Sequence, residues 1–156
     1  MKINRRKLGF TLIEVLIVVV IMAVLAATII PQFTASTDDA QKSAAAYNLH
    51  TMRSQIQLYR TEHAGTYPTI ANDADGQPSL PALIGSSNAA GTVGATGPSF
   101  PLGPYMVSIP NNPYDNKNYV ETATEWPPAA TTASGGWLYY PATGQITLNT
   151  AGHLND

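Results

Sequence analysis

The chain has 156 residues, 44% hydrophobic and only 12% charged, about half the charged share usual in soluble globular proteins. Its 12 glycines and 12 prolines argue against a pure helical bundle, and the lack of cysteine excludes a disulfide framework, a thiolate metal site and a thiol redox motif. The net charge of −2 is uneven: Lys2, Arg5, Arg6 and Lys7 are four of the eight basic residues, leaving an acidic body without the clustered positive surface that nucleic acid requires.

Residues 10–30 read FTLIEVLIVVVIMAVLAATII. As a helix this run spans about 31 Å, close to the hydrocarbon thickness of a bilayer. The basic cluster just before it predicts a cytoplasmic N-terminus and translocation of the C-terminal body. A cleaved signal peptide or a plain anchor would have the same outline. Three details disagree with both. Ala26-Ala27-Thr28 is a poor signal-peptidase site, with isoleucines and Pro31 directly behind it. Glu14 sits inside the apolar run, where an acid costs about 2.5–3.5 kcal/mol on insertion scales and marks a functional candidate. The apolar pattern also continues past the membrane length into an amphipathic helix.

The junction Lys7-Leu8-Gly9-Phe10-Thr11-Leu12-Ile13-Glu14 resembles the class III leader of type IV pilins and type II secretion pseudopilins. The resemblance implies that a prepilin peptidase cuts between Gly9 and Phe10 and then methylates the new amine of Phe10. It also implies that the hydrophobic segment is kept and becomes the core of a helical filament. Burial explains the acid: an amine and a carboxylate are each costly in hydrocarbon, and pairing offsets part of that cost. Phe10 and Glu14 stand at i and i+4, on one helical face, so Glu14 can compensate its own chain's amine and the helix dipole. In the filament that the resemblance implies, it also meets the amine of a neighbouring subunit. Ala23 and Ala27 form a small-xxx-small pair that permits close helix approach. Pro31 lacks the N–H that would reach the Ala27 carbonyl, so a kink is expected there.

From residue 32 to residue 63 there is no glycine or proline. Leu49, Met52, Ile56 and Tyr59 step along a single helical face, and Phe33, Ala40, Ala44 and Tyr47 extend a similar stripe upstream. Gly65 is the expected C′ residue, followed by Tyr67-Pro68. Beyond residue 64 loops dominate. Leu80-Pro81-Ala82-Leu83-Ile84 suggests a helical turn, and residues 85–97 read as a loosely structured surface loop. Strands are expected at 105–109, 119–124, 137–140 and 145–149, the last two joined by a hairpin loop ending in Gly144. Four short strands fit a small antiparallel sheet covering one helix face. Gly103-Pro104-Tyr105-Met106, Pro110-Asn111-Asn112-Pro113-Tyr114, Tyr67-Pro68 and Gly136-Trp137-Leu138-Tyr139-Tyr140 resemble head motifs of the major pseudopilins of type II secretion.

That resemblance implies a closing loop rich in aspartate that binds calcium, but this chain ends Thr150-Ala151-Gly152-His153-Leu154-Asn155-Asp156 with one acid. Calcium takes six to eight oxygens, several from carboxylates. Asp115, Glu121 and Glu125 are scattered, and an EF-hand register over Asn72-Asp73-Ala74-Asp75-Gly76 would put Ala71 and Ala82 at ligand positions. No cofactor or metal is therefore expected, calcium being the one alternative. No phosphate loop, zinc-protease motif or nucleophile elbow occurs. His50 and His63 lie about 220° apart around the helix and cannot share a metal. With His153 in the tail, all three histidines read as ordinary polar residues, and no enzymatic activity is expected.

The fold class expected from these elements and the resemblance is α+β, type IV pilin-like: a long N-terminal helix packed on a small antiparallel β-sheet head. The expected layout is a leader at 1–9, a transmembrane and filament-core helix at 10–31, an amphipathic helix at 32–63, and a periplasmic head at 64–156 with a Gly/Ala/Ser-rich loop at 85–99. The function expected from the resemblance is a pseudopilus subunit of a type II secretion system. The implied partners are prepilin peptidase, further copies of the chain, minor pseudopilins, an inner-membrane assembly platform with its ATPase, and inner-membrane lipid before assembly. A type IV pilin of a surface fibre (adhesion, motility or DNA uptake) is the near alternative; the lack of cysteine and the Gly-Pro-Tyr segment favour the pseudopilin. A membrane-anchored binding module that never polymerises is the distant one. The location expected is the bacterial inner membrane, crossed once, with the head in the periplasm; the pilin alternative ends in an extracellular pilus.

Overall fold

The computed structural model describes residues 9–132 and 134–154, with the side chains of Pro31, Thr34 and Ala35 outside the description. The basic cluster between Lys2 and Lys7 also lies outside it. One long helix, α1 (Leu12–Glu62, 51 residues), precedes all other described elements. The chain divides into two units, Met1–Ala40 and Gln41–Asp156.

In the first unit the helix is apolar all round. Leu12–Ile30 has a mean hydropathy of 3.0, and none of it is buried by the chain itself. The helical backbone runs on through position 31 and does not end there. A missing N–H at Pro31 therefore costs one local bond without stopping the helix. Thr28 and Thr37 turn their hydroxyls back to the carbonyls of Leu25 and Phe33, both at 2.9 Å, so these polar groups are satisfied within the helix.

In the second unit the rest of α1 lies against the head. Ala45, Leu49, Met52, Ile56, Tyr59 and His63 are buried, in alternating steps of four and three. The upstream stripe expected from spacing does not extend this face. Phe33 is 70% exposed and Tyr47 is 72% exposed, and Ala40 and Ala44 are also exposed. Tyr47 is two positions from Leu49, about 200° around the helix, so its stripe has the right period and the wrong phase. A bond from the Gly65 N–H to the Arg60 carbonyl (2.9 Å) closes the helix. Ala64 (φ 53°) and Gly65 (φ 87°) are both left-handed, so the terminal turn begins one residue before the expected glycine.

The sheet against this face is three-stranded and mixed, where four antiparallel strands were expected. β5 (Val120–Thr122) pairs parallel with β6 (Trp137–Tyr140), and β6 pairs antiparallel with β7 (Gln145–Leu148). The sequence between Thr122 and Trp137 is long enough for the crossover that a parallel pair needs. Trp137, Tyr139, Ile146, Leu148 and Val120 join Leu49, Met52, Ile56 and Tyr59 in one core. The polar flanks of α1 fasten the same contact. Arg53 donates from Nε and Nη2 to the Ile146 carbonyl (3.3 and 3.0 Å), Gln41 donates to the Pro113 carbonyl (3.1 Å), and Asn48 to that of Asn111 (3.2 Å). Burial pushes the Arg53 pKa down from its usual value. The β6–β7 turn needs Gly144: its φ is 70°, and a side chain there would run into the Tyr67 ring.

The stretch 105–109 is not a strand. The N–H groups of Tyr105 and Met106 both donate to the Leu83 carbonyl, each at 2.9 Å, and are spent on the short helix α2 (Pro81–Ile84). The segment 85–97 is more ordered than its composition suggests. β3 (Ser86–Ser87) and β4 (Val93–Gly94) pair antiparallel, with both serines buried. His63 explains the attachment. Its ring stacks on Tyr59 at 3.7 Å, Nδ1–H donates to the Tyr59 carbonyl (2.9 Å), and in the neutral ring Nε2 accepts from the Ser87 hydroxyl (3.0 Å). A further hairpin, β1 (Ala71–Asn72) with β2 (Pro78–Ser79), was not anticipated. Its turn is the Asn72–Gly76 run: Asp73 Oδ1 accepts the N–H groups of Asp75 and Gln77, both at 2.9 Å, the Asx-turn chemistry of this residue type.

Candidate functional site

The candidate site is the start of α1. Gly9 and Phe10 precede the helix and are exposed, Phe10 by 88%. Among the described residues a Cβ at Gly9 would touch nothing, and its φ is outside the left-handed region. Neither packing nor backbone conformation within the chain accounts for a glycine here.

Thr11 caps the helix. Its hydroxyl accepts the Glu14 N–H (3.3 Å), and Glu14 Oε2 accepts both the Thr11 N–H and the Thr11 hydroxyl, each at 2.7 Å. This reciprocal pair is a capping box, with Thr11 at N-cap and Glu14 at N3. It satisfies N–H groups left without intrahelical partners and sets a negative charge at the positive end of the helix dipole. Phe10 and Glu14 were expected at i and i+4 of one helix; instead the helix begins at Leu12, so Phe10 lies outside it. The Glu14 carboxylate takes the Thr11 N–H and hydroxyl, which fixes Thr11 as N-cap and leaves Phe10 ahead of the helix. Phe10 and Glu14 still line one shallow groove with Val15, Val18 and Val19. Thr11 was missed as a functional candidate, although Thr-x-x-Glu ahead of an apolar run is a recognisable sign of a helix start.

Glu14 is in the first turn of the apolar stretch, not deep within it. That places the acid near one edge of any bilayer the helix crosses, where its cost is lower than at the centre. Leu12–Ile30 is long and apolar enough to cross a membrane, about 28 Å at 1.5 Å per residue. Ala23 and Ala27 lie on this stretch, exposed and at helical spacing.

The head motifs prove to be fastenings. The Tyr105 hydroxyl donates to Glu62 Oε2 (2.6 Å), and its ring meets Tyr59 edge-on. Buried Asn112 donates to the Gly136 carbonyl (2.7 Å) and to Thr150 Oγ1 (2.9 Å), and the Trp137 indole donates to the Pro110 carbonyl (2.8 Å). Among the described residues no three histidine or acidic side chains converge in a way that could hold a metal ion. Asp115, Glu121 and Glu125 are not brought together as a ligand set.

The family profile described as a prokaryotic N-terminal methylation motif matches residues 4–30. The chain is 35% identical over 66 residues to the type II secretion system core protein G of Dickeya chrysanthemi, covering 42% of each chain. It is 28% identical over 113 residues to the protein of that name from Aeromonas hydrophila, covering 72% of this chain and 71% of the relative. With the Escherichia coli (strain K12) protein it shares 25% identity over 119 residues, 74% of this chain and 72% of the relative. The alignment thus spans under half of the Dickeya relative and over two thirds of the other two. No solved structure matches the chain. The chain thus carries a prokaryotic N-terminal methylation motif on its apolar helix, has an α+β arrangement consistent with a type IV pilin-like fold, and is similar to type II secretion system core protein G.

Proposed function

We propose that this protein is a structural subunit of a pseudopilus of a type II secretion system, polymerising through its N-terminal helix to drive protein export across the outer membrane. The observation that carries the reading is a methylation motif that takes in an uncovered apolar helix, in a chain similar to core protein G over about three quarters of its length. Prepilin peptidase hydrolyses the Gly9–Phe10 bond, leaving a carboxylate on Gly9 and an amine on Phe10, which is methylated. The chain has a structural, not a catalytic, role.

Before assembly the helix anchors the protein in the inner membrane, crossing it once, with the head in the periplasm. In the filament the Glu14 carboxylate of one subunit pairs with the Phe10 amine of the next, and uncovered apolar side chains exchange lipid for neighbouring helices. Minor pseudopilins and an inner-membrane assembly platform with its ATPase complete the machine. The names of the relatives favour this over a surface pilus.

The test is N-terminal mass analysis of the protein from its native membrane. The expected species begins at Phe10 and carries one methyl group on its amine. A chain that retains residues 1–9 overturns the proposal.

A further inference from the structure

Calcium in the head of this fold, implied by the family resemblance, requires oxygens turned toward a common point. The residues present do not fit it. Residues 134–136 lead into β6, and their carbonyl oxygens are already taken. The Lys117 ammonium donates to the Ser134 carbonyl at 2.7 Å. The Asn149 amide donates to the Gly135 carbonyl at 2.8 Å, and Asn112 to that of Gly136 at 2.7 Å. The Asn149 N–H adds a second bond to Gly136, at 3.0 Å.

The nearby acid is equally engaged. Asp115 Oδ1 accepts the Lys117 N–H (3.0 Å), and Oδ2 accepts the Gly136 N–H (2.7 Å). Gly135 lies between the two side chains: with φ at 77°, a Cβ there would meet both the Asp115 carboxylate and the Lys117 stem. An acid and a base thus flank one glycine, and both hold the same loop.

We infer that the loop before β6 is fastened by the chain's own cation, the Lys117 ammonium, acting with Asn112 and Asn149 on three successive carbonyls, so that the head keeps its stability without calcium. An ammonium is a compact charge with three donors, suited to holding a carbonyl oxygen. A built-in cation also differs from a bound one in its dependence on solution: a ligand stabilises only in proportion to its concentration over its dissociation constant, whereas Lys117 is always present. The inference rests on the head alone and is independent of filament assembly.

The test uses the full chain in detergent micelles, with thermal unfolding followed by tryptophan fluorescence in millimolar calcium and in excess chelator. The two wild-type midpoints should coincide. Lys117→Met should lower the midpoint by about 4–8 °C, the shift that loss of one charge-assisted bond produces in a domain of this size. Lys117→Gln, which keeps a neutral donor on a shorter arm, should fall between the two and serves if the methionine variant does not fold. A wild-type midpoint that rises with calcium overturns the inference, as do wild-type midpoints in both variants.

Discussion

The two parts of α1 obey the same helical geometry and opposite covering rules. From Leu12 to Ile30 apolar side chains point in every direction and the chain covers none of them. From Gln41 onward only one stripe is apolar and buried, and the head supplies its cover. A helix apolar all round needs a surrounding apolar medium, whereas a striped helix needs only a partner on one side. The contrast separates the residues that serve assembly from those that serve folding, and substitutions in the two parts should fail differently.

The largest effect is expected at the start of the helix. Glu14→Ala should leave cleavage after Gly9 intact and abolish filament assembly, because the amine of a neighbouring subunit then has no counter-charge. Normal filaments by microscopy from that variant would overturn the pairing. Next comes the head core: Ile56→Ala should cost about 2–5 kcal/mol and reduce the amount of folded protein, whereas Val18→Ala should leave the unfolding midpoint of the head unchanged. Equal losses from both would erase the distinction drawn above.

A smaller effect follows from pH. Burial raises the phenol of Tyr139 above its ordinary 10.0, and burial together with Glu62 raises that of Tyr105. The folded state therefore keeps protons that the unfolded chain loses. Stability is fully present below pH 10 and falls as pH climbs through the folded-state values. Denaturant midpoints at about pH 9 and about pH 11 should differ in that direction, and less so in Tyr139→Phe. The smallest effect is expected from Tyr47→Ala, within about 0.5 kcal/mol, since the ring is exposed; a larger loss would return the residue to the core.

Much of this was legible in the residues. The leader motif, the helix with its buried set from Leu49 to Tyr59, and the Trp137–Tyr140 hairpin strand all follow from local chemistry: charge, period and a turn glycine. What was not legible depended on partners far along the chain. Tyr47 shares the period of Leu49, but only the head determines which phase is covered. Tyr105 and Met106 have strand-like composition, yet the Leu83 carbonyl takes both amides. The 85–97 run looks featureless because its order comes from His63 reaching Ser87 across sequence. At the start of the helix the cap at Thr11 was overlooked because the acid had already been explained by its burial.

The Thr11–Glu14 cap lies wholly downstream of Gly9. The cut proposed at that glycine would remove none of the bonds of this first turn, so the proposed maturation would need no refolding step there. On the proposed reading, the carboxylate that closes the helix would already stand beside the new terminus at the moment the cut exposes it.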